Sequence, residues 1–240
     1  AGATERGRPY FVMELVHGVP ITDYCNEARL TTRQRLELFI QVCHAIQHSH
    51  QKGVIHRDIK PSNVLVTVVD GKPVPKVIDF GIAKAIDHRL TESTLFTRYG
   101  EFIGTPAYMS PEQATLSEID IDTRSDVYSL GAMLYELLTG QPLFDSEQIK
   151  QLGTDEIRRF VQEVTPRPPS HSVATDGGQQ AITVASARNV TPSGLKSQIS
   201  GELDWIVMRA LEKERARRYE TTLALADDLQ RYLDNEPVVA

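Results

Sequence analysis

The 240-residue sequence has only two cysteines, Cys25 and Cys43, too few for a disulfide framework. Cys43 falls at helical spacing among apolar residues, where a buried, inert thiol is expected, and a reducing, cytoplasmic setting follows as the default. Long apolar runs are lacking too. Charges break each one well short of the ~18 residues a membrane span needs, and the N-terminus has no basic-then-apolar signal pattern. Nothing in this segment is expected to cross or enter a membrane. Basic character is also scarce: lysine plus arginine number 26 against 32 aspartate plus glutamate, a formal charge of −6. No basic tract is long enough to follow a phosphate backbone, so nucleic acid is not an expected partner. What the chain does have is 40% hydrophobic content, enough for one sizeable core and one domain.

Residues 10 to 16 predict a buried strand running into a connector that Gly18 and Pro20 interrupt. Leu36, Phe39, Ile40, Cys43 and Ile46 recur at three- and four-residue steps, which predicts an amphipathic helix over about 32 to 50, ended near Gly53. Short β-branched runs follow at Val54-Ile55, at 64 to 69 and at 74 to 78. Asp70-Gly71 between the last two is a tight-hairpin signal, so a small hairpin laid on the helix is expected. Residues 126 to 138 are apolar nearly all round, at Val127, Leu130, Met133, Leu134, Leu137 and Leu138, as suits a helix buried in the middle of a lobe; Gly140 and Pro142 stop it. From about 165 to 200 the chain is rich in Pro, Ser, Thr, Gly and Gln without an apolar period, which predicts a long surface loop or a partly disordered insert. Two more helices are expected over 203 to 211 and 223 to 233. No internal repeat is found, and the fold class is α+β, mostly α with few strands.

His56-Arg57-Asp58-Ile59-Lys60-Pro61-Ser62-Asn63 sits between two short strands, Asp79-Phe80-Gly81 follows the second hairpin strand, and Ser110-Pro111-Glu112 comes later. In this order the three resemble the catalytic loop, the magnesium-binding motif and the end of the activation segment of protein kinases. The resemblance implies a protein-kinase-like fold, of which this chain carries a hinge strand, a small β-hairpin and the mostly α C-terminal lobe. It also implies ATP and Mg2+ as cofactors and a protein substrate bearing a Ser/Thr hydroxyl. The chemistry supports it. Phosphoryl transfer needs magnesium against the phosphate charge, and magnesium takes hard oxygen ligands, which Asp79 and Asn63 would supply. The substrate hydroxyl must be held in line and lose its proton to an exposed carboxylate, the role of Asp58. Lys60 would aim a cation at the same phosphate, and the Asp-x-Lys spacing resembles serine/threonine kinases.

Further residues carry the resemblance. Thr105, in the run from Gly104 to Glu112, would hydrogen-bond Asp58 and Lys60 and shape the substrate groove. Glu112 resembles the family glutamate that pairs with a buried arginine, and Arg218 stands in the pairing place. Asp126 resembles the aspartate that caps the catalytic-loop backbone, and His56 a structural post. Met13 would be the gatekeeper beside the adenine pocket. The backbone at Glu14 and Val16 would hydrogen-bond the purine, and Leu65 and Ile78 would form the pocket floor. Arg57 beside Asp58 resembles kinases switched on by activation-loop phosphorylation, so a phosphate on Thr91, Ser93, Thr94 or Thr97 is expected to order that segment. The likeness covers about residues 8 to 235, and the wording of the runs Gly104 to Gln113, Asp122 to Gly131 and Leu203 to Met208 most resembles bacterial kinases of the planctomycete type, which often carry repeats after the kinase domain; fusion to further domains is therefore expected.

The sequence departs from the family in one respect. It contains no Gly-x-Gly-x-x-Gly turn over the phosphates, no strand lysine to meet them and no helix glutamate to orient that lysine ahead of Tyr10, all of which a complete kinase has. The chain thus reads as a partial kinase domain with the small lobe largely missing. Two other readings fit parts of the pattern: a small-molecule phosphotransferase of kinase-like fold, which seldom carries Lys60, Thr105 and the Ser-Pro-Glu segment together, and a catalytically silent lobe acting as a binding or regulatory module.

Overall fold

The structure, a computed structural model, describes residues 2–3, 9–10, 12–80, 106–114, 121–145, 149, 151–175 and 179–240. At the N-terminal end β1 (Gly2–Ala3) pairs antiparallel with β2 (Pro9–Tyr10). Residues 12–18 then adopt no regular structure, and Val12, Met13 and Leu15 stand 82%, 62% and 74% exposed. This corrects the expected buried strand over 10 to 16. A strand is buried only where another element covers it and satisfies its amides, and no described residue does so here.

β3 (Val19–Pro20) and α1 (Ile21–Glu27) follow. Thr31 opens α2 (Thr32–Gln51) with a reciprocal capping box: Thr31 N donates to Gln34 Oε1 at 2.9 Å, and Gln34 N donates to Thr31 Oγ1 at 3.3 Å. All five apolar residues of its predicted face are buried. β4 (Val64–Val69) and β5 (Lys72–Val77) form the expected hairpin across Asp70 (φ 50°) and Gly71 (φ 75°), a turn in which both residues take the left-handed conformation that matches strand twist. β3 adds to it, giving the antiparallel order β3-β4-β5. Pro73 and Pro75 sit on the edge strand β5, where a missing N–H is tolerated. Val54-Ile55 forms no strand.

After α3 (Pro111–Ala114), the lobe is built around α4 (Thr123–Thr139), buried on nearly all sides. Asp122 caps its start by accepting from Arg124 N at 2.8 Å, and Gly140, at φ 75°, ends it in the left-handed conformation that favours glycine. α5 (Thr154–Glu163) comes next. The stretch expected to be a loop or disordered insert instead forms three short helices, α6 (Pro169–Thr175), α7 (Gln179–Ser186) and α8 (Pro192–Ile199). Each is so short that, among the described side chains, it buries only one or two apolar residues, Val173, Ala181 with Ala185, and Leu195 with Ile199, so no period accumulates in a sequence window. Ser170 fastens the segment by donating from N and Oγ to Asp204 at 2.9 and 2.6 Å. α9 (Glu202–Ala210) and α10 (Thr222–Leu233) complete the lobe. Gly131 lets α9 approach α4 closely, since a Cβ there would lie 2.8 Å from Ala210 Cβ.

Two buried polar joints hold these helices together. At one, Arg35 donates to the carbonyls of Cys25 (2.8 Å), Leu30 (2.9 Å) and Ala187 (3.2 Å), while Arg188 donates to those of Leu137 and Val184, both at 2.7 Å. At the other, Arg218 uses all five of its N–H donors: two meet Glu112 at 2.7 and 2.8 Å, and three meet the carbonyls of Glu212, Arg124 and Lys213 at 2.7, 2.9 and 3.1 Å. Ser125 Oγ donates to the same Glu112 carboxylate at 2.7 Å. Burial pushes the Glu112 carboxyl up, but Arg218 and Ser125 outweigh it and hold the group below its ordinary 4.5.

Replacing Arg218 with methionine strands the Glu112 charge in the core and is expected to cost about 3–5 kcal/mol, read as a lower denaturant midpoint. Because the folded-state pKa of Glu112 is depressed, its stabilisation is complete above the unfolded value of about 4.5 and disappears as pH falls through the folded value. Stability measured against pH should therefore drop below about pH 4.5, and Glu112→Gln should flatten that drop.

Candidate active site

The loop at 56–63 is anchored from below by Asp126, in the first turn of α4 and fully buried. Its carboxylate accepts from His56 N and Arg57 N, both at 2.8 Å, and from His50 Nε2 at 2.7 Å. Arg57 sits at φ 64°, in the left-handed region that a non-glycine residue takes only when its surroundings compel it; the two Asp126 bonds supply that compulsion.

His56 is buried, and the desolvation lowers its pKa against the opposing pull of Asp126, the Ile78 carbonyl, Asp58 and Asp79. Its ring is bridged at both nitrogens. Nδ1 accepts from Asp58 N at 3.3 Å, so Nε2 carries the proton and donates to Ile78 O at 3.0 Å. The imidazole thus ties the Asp58 backbone to the residue before Asp79. The Phe80 ring packs 4.8 Å from it, centroid to centroid.

Asp58 Oδ2 receives Lys60 Nζ at 3.0 Å and Asn63 Nδ2 at 3.1 Å. Asn63 Nδ2 also donates to the Asp58 carbonyl at 2.9 Å. A turn at Pro61–Asn63 brings Asn63 round, and Asn63 O accepts from Ile78 N at 2.9 Å. Asp58, Lys60 and Asn63 therefore form one cluster, and Ile78 joins it to Asp79 through the chain. Asp79 is exposed and at φ 55°, so it joins Arg57 as a non-glycine residue of this site in the left-handed region. The Asn63 amide turns its nitrogen to Asp58, which leaves its oxygen, with the Asp79 carboxylate, as hard donors suited to magnesium.

The connector at 12–18 is drawn in more loosely. Glu14 pairs with Lys76 at 2.9 Å, and Lys76 is the cross-strand partner of Leu65. A Cβ on Gly18 would lie 2.9 Å from Val66 O, so the backbone passes tightly over β4. Leu65 is half-buried on the face of β4 opposite buried Val64 and Val66, and Val16 in the connector and Ile78 just after β5 are half-buried too. Met13 points to solvent and is not brought to this cluster. Thr105 and the segment 91 to 97 lie outside the described residues.

Two supports went unread in the sequence. Gln113 Nε2 donates to Arg57 O at 2.8 Å, while Ser110 N and Oγ both donate to Gln113 Oε1, at 3.1 and 3.0 Å. The Ser-x-x-Gln spacing of a capping box was the available signal. His50, the third donor to Asp126, carried none beyond its place near the end of α2.

Comparison with known proteins agrees with this geometry. The protein kinase domain family matches residues 3–229. The serine/threonine-protein kinase PknB of Mycobacterium tuberculosis is 36% identical over 230 residues, covering 95% of this chain and 31% of its own length. A probable serine/threonine-protein kinase of Corynebacterium efficiens is 38% identical over 223 residues, covering 92% and 29%. The chain thus spans under a third of the length of these relatives. Among solved structures, a double mutant of the Mycobacterium tuberculosis PknI kinase domain superposes with a TM-score of 0.60 at 22% identity, over 92% of this chain and 65% of that one. This likeness concerns the fold. The chain belongs to the protein kinase domain family.

Proposed function

We propose that this chain is the catalytic lobe of an ATP-dependent serine/threonine protein kinase, of the bacterial planctomycete type by its motif wording, with the phosphate-gripping small lobe largely outside these 240 residues. The observation that carries the reading is the Asp58 carboxylate, oriented by Lys60 and Asn63 on a loop whose backbone is fixed to buried Asp126. Asp58 would take the proton from the substrate Ser/Thr hydroxyl as it attacks. Lys60, 3.0 Å from that carboxylate, would also meet the transferred phosphate. Mg2+, held by Asn63 and Asp79, would supply charge neutralisation on the ATP phosphates. Thr105 would close the substrate groove. Glu14 and Val16 would offer backbone to the purine beside Met13, over Leu65 and Ile78. The greater length of the relatives supports fusion to further domains, and a cytoplasmic setting for this lobe is part of the same reading.

A second reading, a silent lobe that serves as a binding or regulatory module, draws support from the exposed apolar side chains of Val12, Met13 and Leu15. Nucleotide affinity separates the two. For residues 1–240 alone, weak ATP binding and phosphate transfer near background are expected, because the sequence holds no glycine loop, strand lysine or helix glutamate. Each such charge-stabilising group is worth about 3–4 kcal/mol, roughly 10²- to 10³-fold in rate. The measurement is ATP affinity and autophosphorylation with and without a small lobe supplied in trans, and robust turnover by the isolated chain would contradict it.

In a longer form of the protein that includes those groups, Asp58→Asn is expected to abolish phosphotransfer while leaving the thermal midpoint close to that of the parent. The exchange is nearly isosteric and removes the proton-accepting carboxylate together with the partly exposed ion pair it makes with Lys60, a pair worth little to stability. A folded Asp58→Asn protein with undiminished activity would sink the assignment.

A further inference from the structure

Beyond α10 the chain turns back on itself. Asn235, at φ 58°, makes the turn, and Glu236 N donates to Arg231 O at 2.8 Å. Val239 then has both backbone groups engaged: its N–H donates to Asp228 Oδ1 at 2.7 Å, and its carbonyl accepts from Arg209 Nη1 at 3.0 Å. Asp228 stands on α10 and Arg209 on α9, so one residue of the tail clasps two helices. Val238 packs inward against the core, whereas the Val239 side chain is 64% exposed. It is therefore the Val239 backbone that is gripped.

The cradle is rigid. Asp228 and Tyr219 are each 2% exposed, and Tyr219 OH donates to Asp228 Oδ2 at 2.7 Å. The Arg209 guanidinium stacks 4.4 Å above the Tyr219 ring. No ion pair reaches Asp228 among the described residues, so the tyrosine hydroxyl and the tail amide are the donors that sustain this buried carboxylate. Withdrawing the amide leaves one oxygen short of a partner in a nearly dry place. Tyr219 in turn directly follows Arg218, the arginine that grips Glu112. The backbone at 218–219 is thereby pinned from two sides.

We propose that residues 236–240 form a strap whose docking on Asp228 and Arg209 braces Tyr219 and, through it, the Arg218–Glu112 pair behind the candidate active site. Whatever pulls on the tail then acts on α3, which carries Glu112 and Gln113, and so on the Arg57 carbonyl that Gln113 holds. The strap needs no premise about catalysis.

The test uses the isotopically labelled 240-residue chain, Val239→Pro (which removes the amide donor and also restricts the backbone at 238–239), a chain ended after Glu236, and Asp228→Ala with and without that truncation. Exchange is followed by NMR at Val239 N–H and at the Arg218 Nε–H. The expected results are Val239 exchange at least about 100-fold slower than in an unstructured peptide, Arg218 Nε–H exchange faster by about fivefold or more in both Val239→Pro and the truncated chain, and no further acceleration on truncating Asp228→Ala. Should Asp228→Ala fail to fold, the other two variants still decide. Val239 exchanging like a free peptide, or Arg218 unmoved in both tail variants, would overturn the proposal.

Discussion

One buried carboxylate fixes the geometry on which the candidate chemistry rests. Asp126 is out of reach of water, and a charge so placed is tolerable only when several donors converge on it. Three do, two of them backbone amides of the 56–63 loop. Its position in the first turn of α4 adds the favourable end of the helix dipole. The helix is immobilised by its own burial, so the loop inherits the rigidity of the core. The unfavourable φ of Arg57 persists because its own amide and that of His56 are both held by Asp126.

From that anchor, order spreads outward by single polar steps. The His56 ring carries it to Ile78, Ile78 to Asp79 and Asn63, and Asn63 with Lys60 to the Asp58 carboxylate. On the far side, Gln113 takes the Arg57 carbonyl and passes the constraint to α3, where Glu112 meets Arg218. The groups proposed to touch ligands, half-buried Asp58 and Lys60 and exposed Asp79, are thus each one or two contacts away from a buried anchor. This is the arrangement that electrostatic preorganisation requires.

How much of this the sequence disclosed depended on the length and locality of each signal. The α2 and α4 helices were legible because their apolar periods run for several turns, and the hairpin because Asp70-Gly71 permits little else. The fold class holds as read. The 56–63 loop and Asp79 stood out because His56-Arg57-Asp58 with Lys60 and Asn63, followed by Asp79-Phe80-Gly81, resembles kinase motifs in both residue type and order. Helices α6 to α8 were missed since each turns only about twice, and their Pro, Ser and Thr caps resemble loop composition when the tertiary partner, Asp204 for Ser170, is unknown. The strand expected at residues 10 to 16 failed for the opposite reason: its apolar pattern was genuine, but burial is conferred by a neighbour. Contacts such as Gln113 to Arg57 or Tyr219 to Asp228 join residues whose pairing only the folded chain defines.

The joint made by Arg35 and Arg188 differs in kind from the one made by Arg218. Neither guanidinium meets a carboxylate among the described residues; carbonyls near the C-terminal ends of α1, α4 and α7 take that place, where helix dipoles are negative. Burial, then Arg35, draws Arg188 down to about 9, far above the acid range. Peptide carbonyls do not titrate there, so the free energy of this joint is indifferent to acidification, whereas Glu112 must lose its charge. Acid would therefore dismantle the lobe asymmetrically, loosening the corner where α3 meets the 212–218 turn while the corner joining α1, α2, α4 and α7 stays closed.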